Sequence, residues 1–166
     1  MHEIIENLFL GNIDNAKDFQ SIKDKKICVI VNCTKDIENF HSLNLLKPLE
    51  EAPQEIQNWL CENSYYIKYY RVPIDDSGKD KDIEDFYHIS MEIIWKVLED
   101  YKKGKVILVH CLAGNQRSAS FICIFLMLYK KMSLKESINY LIEKKPSVFF
   151  FGSQVNFQNA LNKIEM

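Results

Sequence analysis

One short polar segment between two apolar stretches constrains the fold more than any other part of the chain. Its sequence is HCLAGNQRS, residues 110–118, in which a thiol and a guanidinium are separated by five residues. The preceding residues 106–109 are apolar and mostly β-branched, which predicts a buried strand. The following residues 119–129 form a long apolar stretch, which predicts a helix. A strand, a tight glycine-containing loop and a helix therefore follow one another directly.

Such a junction is suited to binding an oxyanion such as phosphate. The loop turns successive backbone N–H groups inward, and the helix directs its N-terminal dipole to the same point. These donors favour the thiolate form of a cysteine at the floor of the loop, here Cys111. Arg117 opens the helix and can hold two phosphate oxygens at once. The predicted phosphate-binding residues are Leu112, Ala113, Gly114, Asn115, Gln116 and Arg117.

The overall composition is that of one globular domain. The chain has 166 residues, a formal net charge of −2 and 47% hydrophobic residues. This length is enough to bury most of the apolar surface, so we expect a single domain over residues 1–166. Because the net charge is slightly negative, we expect no broad basic surface and no nucleic-acid partner. No apolar run reaches membrane-spanning length, so we expect no membrane contact.

The cysteines and the first residues bear on the cellular compartment. The five cysteines lie at positions 28, 33, 61, 111 and 123 and include no Cys-x-x-Cys pair. Their odd number and their spacing argue against a disulfide framework and against a structural zinc site. The first eleven residues lack the basic start of a secretory signal. We therefore expect an intracellular protein, cytoplasmic or nuclear, that needs no metal or other cofactor.

Strand-like and helix-like segments alternate along the chain. Strands are predicted as a pair over residues 4–10 and then over 27–33, 65–74 and 106–109. Helices are predicted over residues 14–19, 53–61, 82–103 and 119–129, and then from a capping box at Ser133 to before Pro146. A last helix is predicted with Ser153 as its cap and with these side chains inward: Phe157, Ala160, Leu161 and Ile164. Asp14 is the predicted cap of the first helix. The alternation implies an α/β fold with a central, mostly parallel, twisted sheet of about five strands and helices on both faces.

The segment 110–118 resembles the His-Cys-x5-Arg-Ser signature loop of cysteine-based protein phosphatases. Its Ala113-Gly114 and Arg117-Ser118 pairs resemble the dual-specificity branch most closely. The loop lies two-thirds of the way along the chain, as in that branch, whereas in low-molecular-weight tyrosine phosphatases it follows the first strand. Further resemblances cover the whole chain, at residues 7–11, 31–34, 72–76, 125–127 and 133–137. The resemblance implies a protein tyrosine phosphatase-like fold of the minimal, atypical type without a docking domain.

One segment near the end departs from this family. Its members often carry Pro-Asn and a Phe before the last helix, whereas residues 149–152 here read Phe-Phe-Phe-Gly. The last helix can therefore sit differently in this chain, while the residues of the signature loop are complete.

The resemblance and the chemistry together assign roles to the loop residues. Cys111 is expected to attack phosphorus as a thiolate and form a phosphocysteine, which splits one difficult displacement into two. The loop amides and Arg117 hold the equatorial oxygens through the transition state. Ser118 can donate a hydrogen bond to the sulfur and improve it as a leaving group. His110 is expected to order the loop, because a thiol that is already ionised needs no base.

The leaving oxygen needs a proton from an acid in another segment. In the family this acid lies two residues after a Pro-apolar pair, here Pro73-Ile74, which points to Asp76. Strand alternation also places Asp76 on the side of Val72 and Ile74. Asp75 remains the alternative, since an aspartate pair beside Ser-Gly is otherwise typical of a solvated turn.

Three functions remain open from the sequence. The first is hydrolysis of phosphotyrosine and phosphoserine or phosphothreonine on proteins. The second is the same chemistry on a phosphoinositide, a glucan or an RNA 5′ end. Phosphoinositide relatives tend to carry lysines inside the loop, whereas residues 112–116 are uncharged, and the loop lacks the Thr-His-Gly and Asn-Arg-Thr of RNA triphosphatase relatives. The third is a phosphate-binding pseudophosphatase, which the presence of Cys111, Arg117, Ser118 and a candidate acid disfavours. We expect a protein phosphatase with a phosphorylated protein as its partner.

Cys33 is a possible redox partner of the nucleophile. It ends a predicted central strand, and parallel sheets place such ends at the same edge as the loop after residue 109. The segment also resembles the Phe-Cys-Thr segment of the cyclin-dependent-kinase-associated phosphatase, in which the cysteine can pair with the nucleophile. The alternative is that Cys33 is a buried strand residue with a packing role only.

Overall fold

The central sheet follows the predicted alternation in a computed structural model that describes residues 1–41, 53–55 and 67–165. Its described strands are His2–Ile5 (β1), Leu8–Gly11 (β2), Ile27–Asn32 (β3), Lys68–Arg71 (β4) and Val106–His110 (β5). They lie in the order β1-β2-β5-β3-β4. Strands β2, β5, β3 and β4 are mutually parallel, and only β1 is paired antiparallel within the described sheet. The predicted mostly parallel sheet of five strands is confirmed.

Both faces of the central strands are buried, which explains their continuous apolar sequences. In β5, Ile107 and Val109 belong to the core on one face, whereas Leu108 belongs to the core on the other. Successive side chains of a strand point to opposite faces, so a strand covered on both sides has apolar residues at every position.

Helices cover the two faces unequally. Apart from the short left-handed segment Val148–Phe151, the described helices are Ile13–Lys17 (α1), Phe19–Asp24 (α2), Asp80–Lys102 (α3), Arg117–Tyr129 (α4), Leu134–Lys144 (α5) and Gln158–Ile164 (α6). On the smaller face, Ile22 of α2 packs in the same cluster as Leu108. On the larger face, α3 to α6 contribute core residues such as Phe86, Phe125 and Leu141. The predicted arrangement of helices on both faces is confirmed.

Helix starts reflect local hydrogen bonding. Asn12 caps α1, because its side chain accepts from the Asn15 N–H at 2.9 Å and the Asn15 side chain accepts from the Asn12 N–H at 2.9 Å. The prediction that Asp14 is the cap was therefore wrong, and Asp14 lies in the first turn instead. The capping box of Ser133 and Glu136 at the start of α5 is confirmed.

The other boundaries agree with the sequence to varying degrees. Helix α3 begins two residues before the predicted position 82, and β4 ends three residues before the predicted position 74. Residues 65 and 66 of that predicted strand lie outside the described residues. The helix predicted over residues 53–61 lies outside the described residues except for 53–55.

The connection between α5 and α6 contains an unusual turn. In Val148–Phe151, both Phe149 and Phe150 have left-handed backbone angles, with φ of 56° and 49°. Phe151 follows with φ of 58°. Ser153 donates its hydroxyl to the Phe150 carbonyl at 2.7 Å, so the prediction that it caps the last helix was wrong. The predicted inward side chains of that helix region, Phe157, Ala160, Leu161 and Ile164, are buried.

Candidate active site

The carboxyl ends of the parallel strands bring the candidate residues to one edge of the sheet. Gly11 pairs with His110, His110 pairs with Asn32, and Asn32 pairs with Arg71. The segments that follow these four residues therefore begin side by side, as carboxyl strand ends do in parallel sheets. Those segments carry the loop of Cys111, Cys33 and the pair of aspartates after β4.

The sulfur of Cys111 lies at the floor of the loop, where two polar groups contact it. Its Sγ is 3.1 Å from the Ser118 Oγ. The backbone N–H of Gly114 donates to the same sulfur at 3.2 Å. Both Cys111 and Ser118 are buried. The sulfur is thus enclosed between a backbone N–H and a hydroxyl group at the floor of the loop.

Gly114 is required by the path of the loop. Its φ is +74°, a value that side chains of L residues rarely adopt. A Cβ at this position would lie 2.6 Å from the Gly11 carbonyl oxygen at the end of β2. The loop therefore turns tightly against the neighbouring strand only because residue 114 has no side chain.

Lys145 holds the loop from its outer side. Its Nζ donates to the Ala113 carbonyl at 3.1 Å, to the Gly114 carbonyl at 2.9 Å and to the Asn115 Oδ1 at 2.9 Å. The C=O and N–H of a trans peptide point in opposite directions. A carbonyl directed at Lys145 therefore directs the next N–H inward, as the Gly114 N–H shows by reaching the sulfur.

Two opposing effects act on the pKa of the Lys145 ammonium beside the loop. Burial lowers the pKa of Lys145, and the negative charge of Cys111 acts in the opposite direction. Sequence reasoning missed this residue, because a lysine at the C-terminal end of a helix is ordinarily explained by the helix dipole. The Lys145-Pro146 pair lies about thirty residues beyond the loop, and nothing in its sequence reveals the contact.

Arg117 connects the loop to the aspartate segment. It is the first residue of α4, and its Nη1 donates to the Ile74 carbonyl at 3.0 Å. The segment after β4 is thereby held across the loop. Asp75 and Asp76 follow directly, and both are exposed.

The two aspartates have different partners. The Asp76 Oδ1 accepts a hydrogen bond from the Asn156 Nδ2 at 2.8 Å. The Asp75 Oδ2 is instead 3.9 Å from the Lys35 Nζ, in an ion pair whose side chains are both more than half exposed. Such exposed pairs contribute little to stability. Asn156 is a further residue that sequence reasoning missed.

His110 is buried directly behind the loop. Its Nδ1 is 3.3 Å from the Cys111 carbonyl oxygen. Burial lowers the pKa of His110 to about 4, so the imidazole is neutral at physiological pH. A neutral, enclosed ring is suited to ordering the backbone.

Cys33 lies next to the loop at the end of β3. Its N–H donates to the His110 carbonyl at 2.8 Å, and its side chain is fully buried. Burial raises the pKa of the Cys33 thiol well above its usual range, and the charge of Cys111 raises it further. The thiol is therefore kept protonated beside the candidate nucleophile.

The remaining loop residues face different surroundings. Leu112 and Ala113 are exposed, and the Leu112 carbonyl accepts from the Ile13 N–H at 3.0 Å. The Asn115 carbonyl accepts from the Phe149 N–H at 2.9 Å, so the left-handed turn packs against the loop. Gln116 is buried.

Comparison with known proteins defines the family. The family model described as "Dual specificity phosphatase, catalytic domain" matches residues 8–166. Human dual specificity protein phosphatase 21 is 30% identical over 163 residues, which cover 96% of this chain and 72% of that protein. Tyrosine-protein phosphatase vhp-1 of Caenorhabditis elegans is 26% identical over 164 residues, which cover 96% of this chain but 21% of that protein.

A solved structure agrees in fold. The crystal structure of human DUSP28 superposes with a TM-score of 0.72 at 16% identity, over 99% of this chain and 95% of that one. The fold is thus that of the protein tyrosine phosphatase class. The chain belongs to the dual-specificity phosphatase family of cysteine-based protein phosphatases.

Proposed function

We propose that this chain hydrolyses phosphate monoesters on tyrosine and on serine or threonine of proteins through a phosphocysteine intermediate. The observation that carries the proposal is the enclosed sulfur of Cys111, which lies 3.2 Å from the Gly114 N–H and 3.1 Å from the Ser118 hydroxyl oxygen. A thiolate in this position attacks phosphorus in line and expels the protein oxygen.

The other residues act on charge and protons. The backbone amides of residues 112–117 and the Arg117 guanidinium stabilise the equatorial oxygens. Asp76 protonates the departing oxygen. In the second step water attacks the phosphocysteine, and the Ser118 hydroxyl stabilises the sulfur as it leaves.

The charge of the loop favours a protein substrate over a phosphoinositide. Residues 112–116 carry no charge, and the Lys145 ammonium is occupied by the two loop carbonyls and the Asn115 side chain. The loop itself therefore offers Arg117 as its cation. We also propose an intracellular site of action, where the four described cysteines stay as free thiols. None of the described helices is both long and apolar enough to cross a membrane.

Substitution of the nucleophile and of the arginine tests the chemistry. Cys111→Ser should bind phosphopeptides without turning them over, since a serine hydroxyl is not ionised near neutral pH. Arg117→Lys should lose ~100-fold in kcat/KM, because a point charge cannot form the two-pronged contact. Activity should survive chelators. Substantial turnover by Cys111→Ser would place the nucleophile elsewhere.

The substrate class is tested by a panel of doubly phosphorylated peptides, phosphoinositides and 5′-triphosphate RNA. We expect the phosphopeptides to give the highest kcat/KM. Faster turnover of either of the other classes would replace the protein substrate while leaving the phosphocysteine chemistry intact.

The leaving group distinguishes the two aspartates. Asp76→Asn should slow hydrolysis of phosphotyrosine and phosphothreonine more than that of an aryl phosphate with an acidic leaving group, which needs the proton less. Asp75→Asn is the matched control and should lose little with any substrate. The reverse pattern would move the acid to Asp75.

We further propose that Cys33 protects the nucleophile from oxidation. Neighbouring parallel strands lie about 4.8 Å apart, and Cys33 and Cys111 directly follow the paired residues Asn32 and His110, which supports a Cα separation within disulfide range. Peroxide would convert the Cys111 thiolate to a sulfenic acid and release hydroxide. The Cys33 thiol would then displace water from the sulfenic acid and form a disulfide.

Recovery from peroxide tests this role. Wild-type activity should return after thiol treatment, whereas Cys33→Ser should stay inactive because the sulfenic acid is oxidised further. The buried Cys123→Ser is the matched control and should recover like the wild type. Equal recovery of Cys33→Ser would leave Cys33 with a packing role.

A further inference from the structure

The side chain of Asn156 links the aspartate segment to the phosphate-binding loop. Its Nδ2 donates to the Asp76 Oδ1 at 2.8 Å. Its own backbone N–H donates to the Gln116 Oε1 at 3.0 Å. One residue from the segment before α6 thus contacts both the candidate acid and the last residue of the loop.

Gln116 fixes the backbone on which Asn156 lies. Besides accepting from the Asn156 N–H, it donates from Nε2 to the Gln154 carbonyl at 2.9 Å. Gln116 is only 4% exposed, so both ends of its amide are used in an enclosed position. Residues 154–156 are therefore held by the loop itself.

Gln154 fixes the orientation of the Asn156 amide. Its Nε2 donates to the Asn156 Oδ1 at 2.7 Å. Because that oxygen is engaged as an acceptor, the Nδ2 of Asn156 is the group that faces Asp76. The orientation of the Asn156 amide is thus fixed by its backbone contact with Gln116 and by its side-chain contact with Gln154.

This donor determines which oxygen of Asp76 carries the proton. A carboxyl oxygen that accepts an N–H does not also hold the acidic hydrogen in the same direction, so Oδ1 acts as acceptor and Oδ2 carries the proton. Among the described residues, Oδ2 of Asp76 has no hydrogen-bond partner and is available to the leaving group. The same amide stabilises the carboxylate that remains after the proton has left.

We propose that Asn156 is a positioning residue that orients Asp76 for proton donation, and that Gln116 ties this orientation to the loop that binds the phosphate. The inference rests on the proposed function, in which Asp76 is the acid. Asp76 is exposed on a loop, so without this contact its carboxyl group samples several rotamers, and only some of them direct a proton at the leaving oxygen.

Asn156→Leu tests the proposal, because leucine has a similar volume but no donor. We expect kcat for phosphotyrosine and phosphothreonine peptides to fall about 3- to 10-fold with KM unchanged, as for the loss of one hydrogen bond. For an aryl phosphate with an acidic leaving group, kcat should fall by less than about 2-fold, because this leaving group needs the proton less. The exposed Asn159→Leu is the matched control and should leave both substrates unchanged.

A double substitution separates this inference from the assignment of the acid. Asp76→Asn/Asn156→Leu should be no slower than Asp76→Asn alone, since Asn156 has nothing left to orient. Additive losses, or an equal loss by Asn156→Leu on both kinds of substrate, would overturn the positioning role. A missing leaving-group effect in Asp76→Asn would instead overturn the assignment of Asp76 and the inference with it.

Thermal unfolding of each variant separates positioning from folding. The Asn156 backbone still donates to Gln116 in the leucine variant, so we expect its melting temperature to stay close to that of the wild type. Asn156→Ala provides a second variant with less side chain, and it should show the same leaving-group dependence. A loss that follows the melting temperature of the variants rather than the leaving group would contradict the proposal.

Discussion

At the scale of single residues, Lys145 and His110 both contact backbone carbonyls of the loop of residues 110–118. Lys145 lies on the outer side of the loop, and its ammonium donates to the Ala113 and Gly114 carbonyls. His110 is enclosed behind the loop with its ring against the Cys111 carbonyl. Both contacts engage a loop carbonyl, and the direction of a carbonyl sets the direction of the N–H in the same peptide plane.

Replacing Lys145 tests this control of the loop. Lys145→Met should reduce kcat/KM ~10- to 100-fold and weaken binding of vanadate, because the two carbonyls lose a charged donor and the amides lose their direction. Lys144→Met is the matched control, since Lys144 is the exposed neighbour. Unchanged vanadate affinity in Lys145→Met would show that the loop holds its own conformation.

Burial of His110 should make stability depend on pH. Its pKa is about 4 in the folded chain and about 6.5 when unfolded. Above pH 6.5 neither state is protonated and the group has no effect. As the pH falls from 6.5 to 4, the unfolded chain gains a proton that the folded chain does not, so stability is lost, by on the order of 3 kcal/mol.

Denaturant unfolding at several pH values measures this effect. The free energy of unfolding of the wild type should fall through the window from pH 6.5 to 4. In His110→Asn that part of the slope should vanish, although the variant starts from a lower stability. Parallel curves for the two proteins would mean that the imidazole becomes protonated in the folded state.

At the scale of elements, the loop between β5 and α4 depends on a glycine with positive φ. Gly114→Ala would add both backbone strain and a contact of 2.6 Å with the Gly11 carbonyl oxygen. We expect a loss of at least ~2 kcal/mol in the free energy of unfolding and a loss of phosphate binding. The matched control is Gly104→Ala, which has φ of +85° but nothing within 4 Å of the added Cβ.

The Gly104→Ala control separates the cost of backbone strain from the cost of the steric contact with Gly11 in the free energy of unfolding. Gly104→Ala should lose only about 1 kcal/mol, the cost of the left-handed backbone, and should keep full activity. Equal losses in the two variants would show that the loop can move away from the end of β2.

The left-handed turn before α6 allows glycine to be introduced at a residue with positive φ, the reverse of the Gly→Ala substitutions above. Phe151 has φ of 58° and a side chain that is 77% exposed, so little packing is lost when its ring is removed. Phe151→Gly should be more stable than Phe151→Ala by about 1 kcal/mol, because glycine has no penalty for this backbone conformation. Urea unfolding of the two variants measures the difference, and the ordinary preference for alanine would contradict the left-handed backbone.

At the scale of the whole molecule, the sequence predicts what depends on local pattern. The continuous apolar stretches at β3 and β5 predict strands covered on both faces, and the loop motif predicts the family. The role of Asn12 as the cap of α1 was not predicted, because Asp14 is an equally good capping residue when the sequence alone is considered. The contacts of Lys145 with Asn115 and of Asn156 with Asp76 were not predicted. These partners lie 30 and 80 residues away in the chain, and no local pattern encodes contacts at that range.

The connections from residues 145 and 156 back to the loop have a consequence for the synthesis of the chain. The motif of residues 110–118 is complete long before Lys145 and Asn156 have been made. Until those residues dock, the loop carbonyls lack their contacts with Lys145, and Asp76 lacks its contact with Asn156. A nascent chain on the ribosome therefore carries the loop motif before the segments that contact the loop have been made, and we expect it to hydrolyse phosphate esters more slowly than the folded chain.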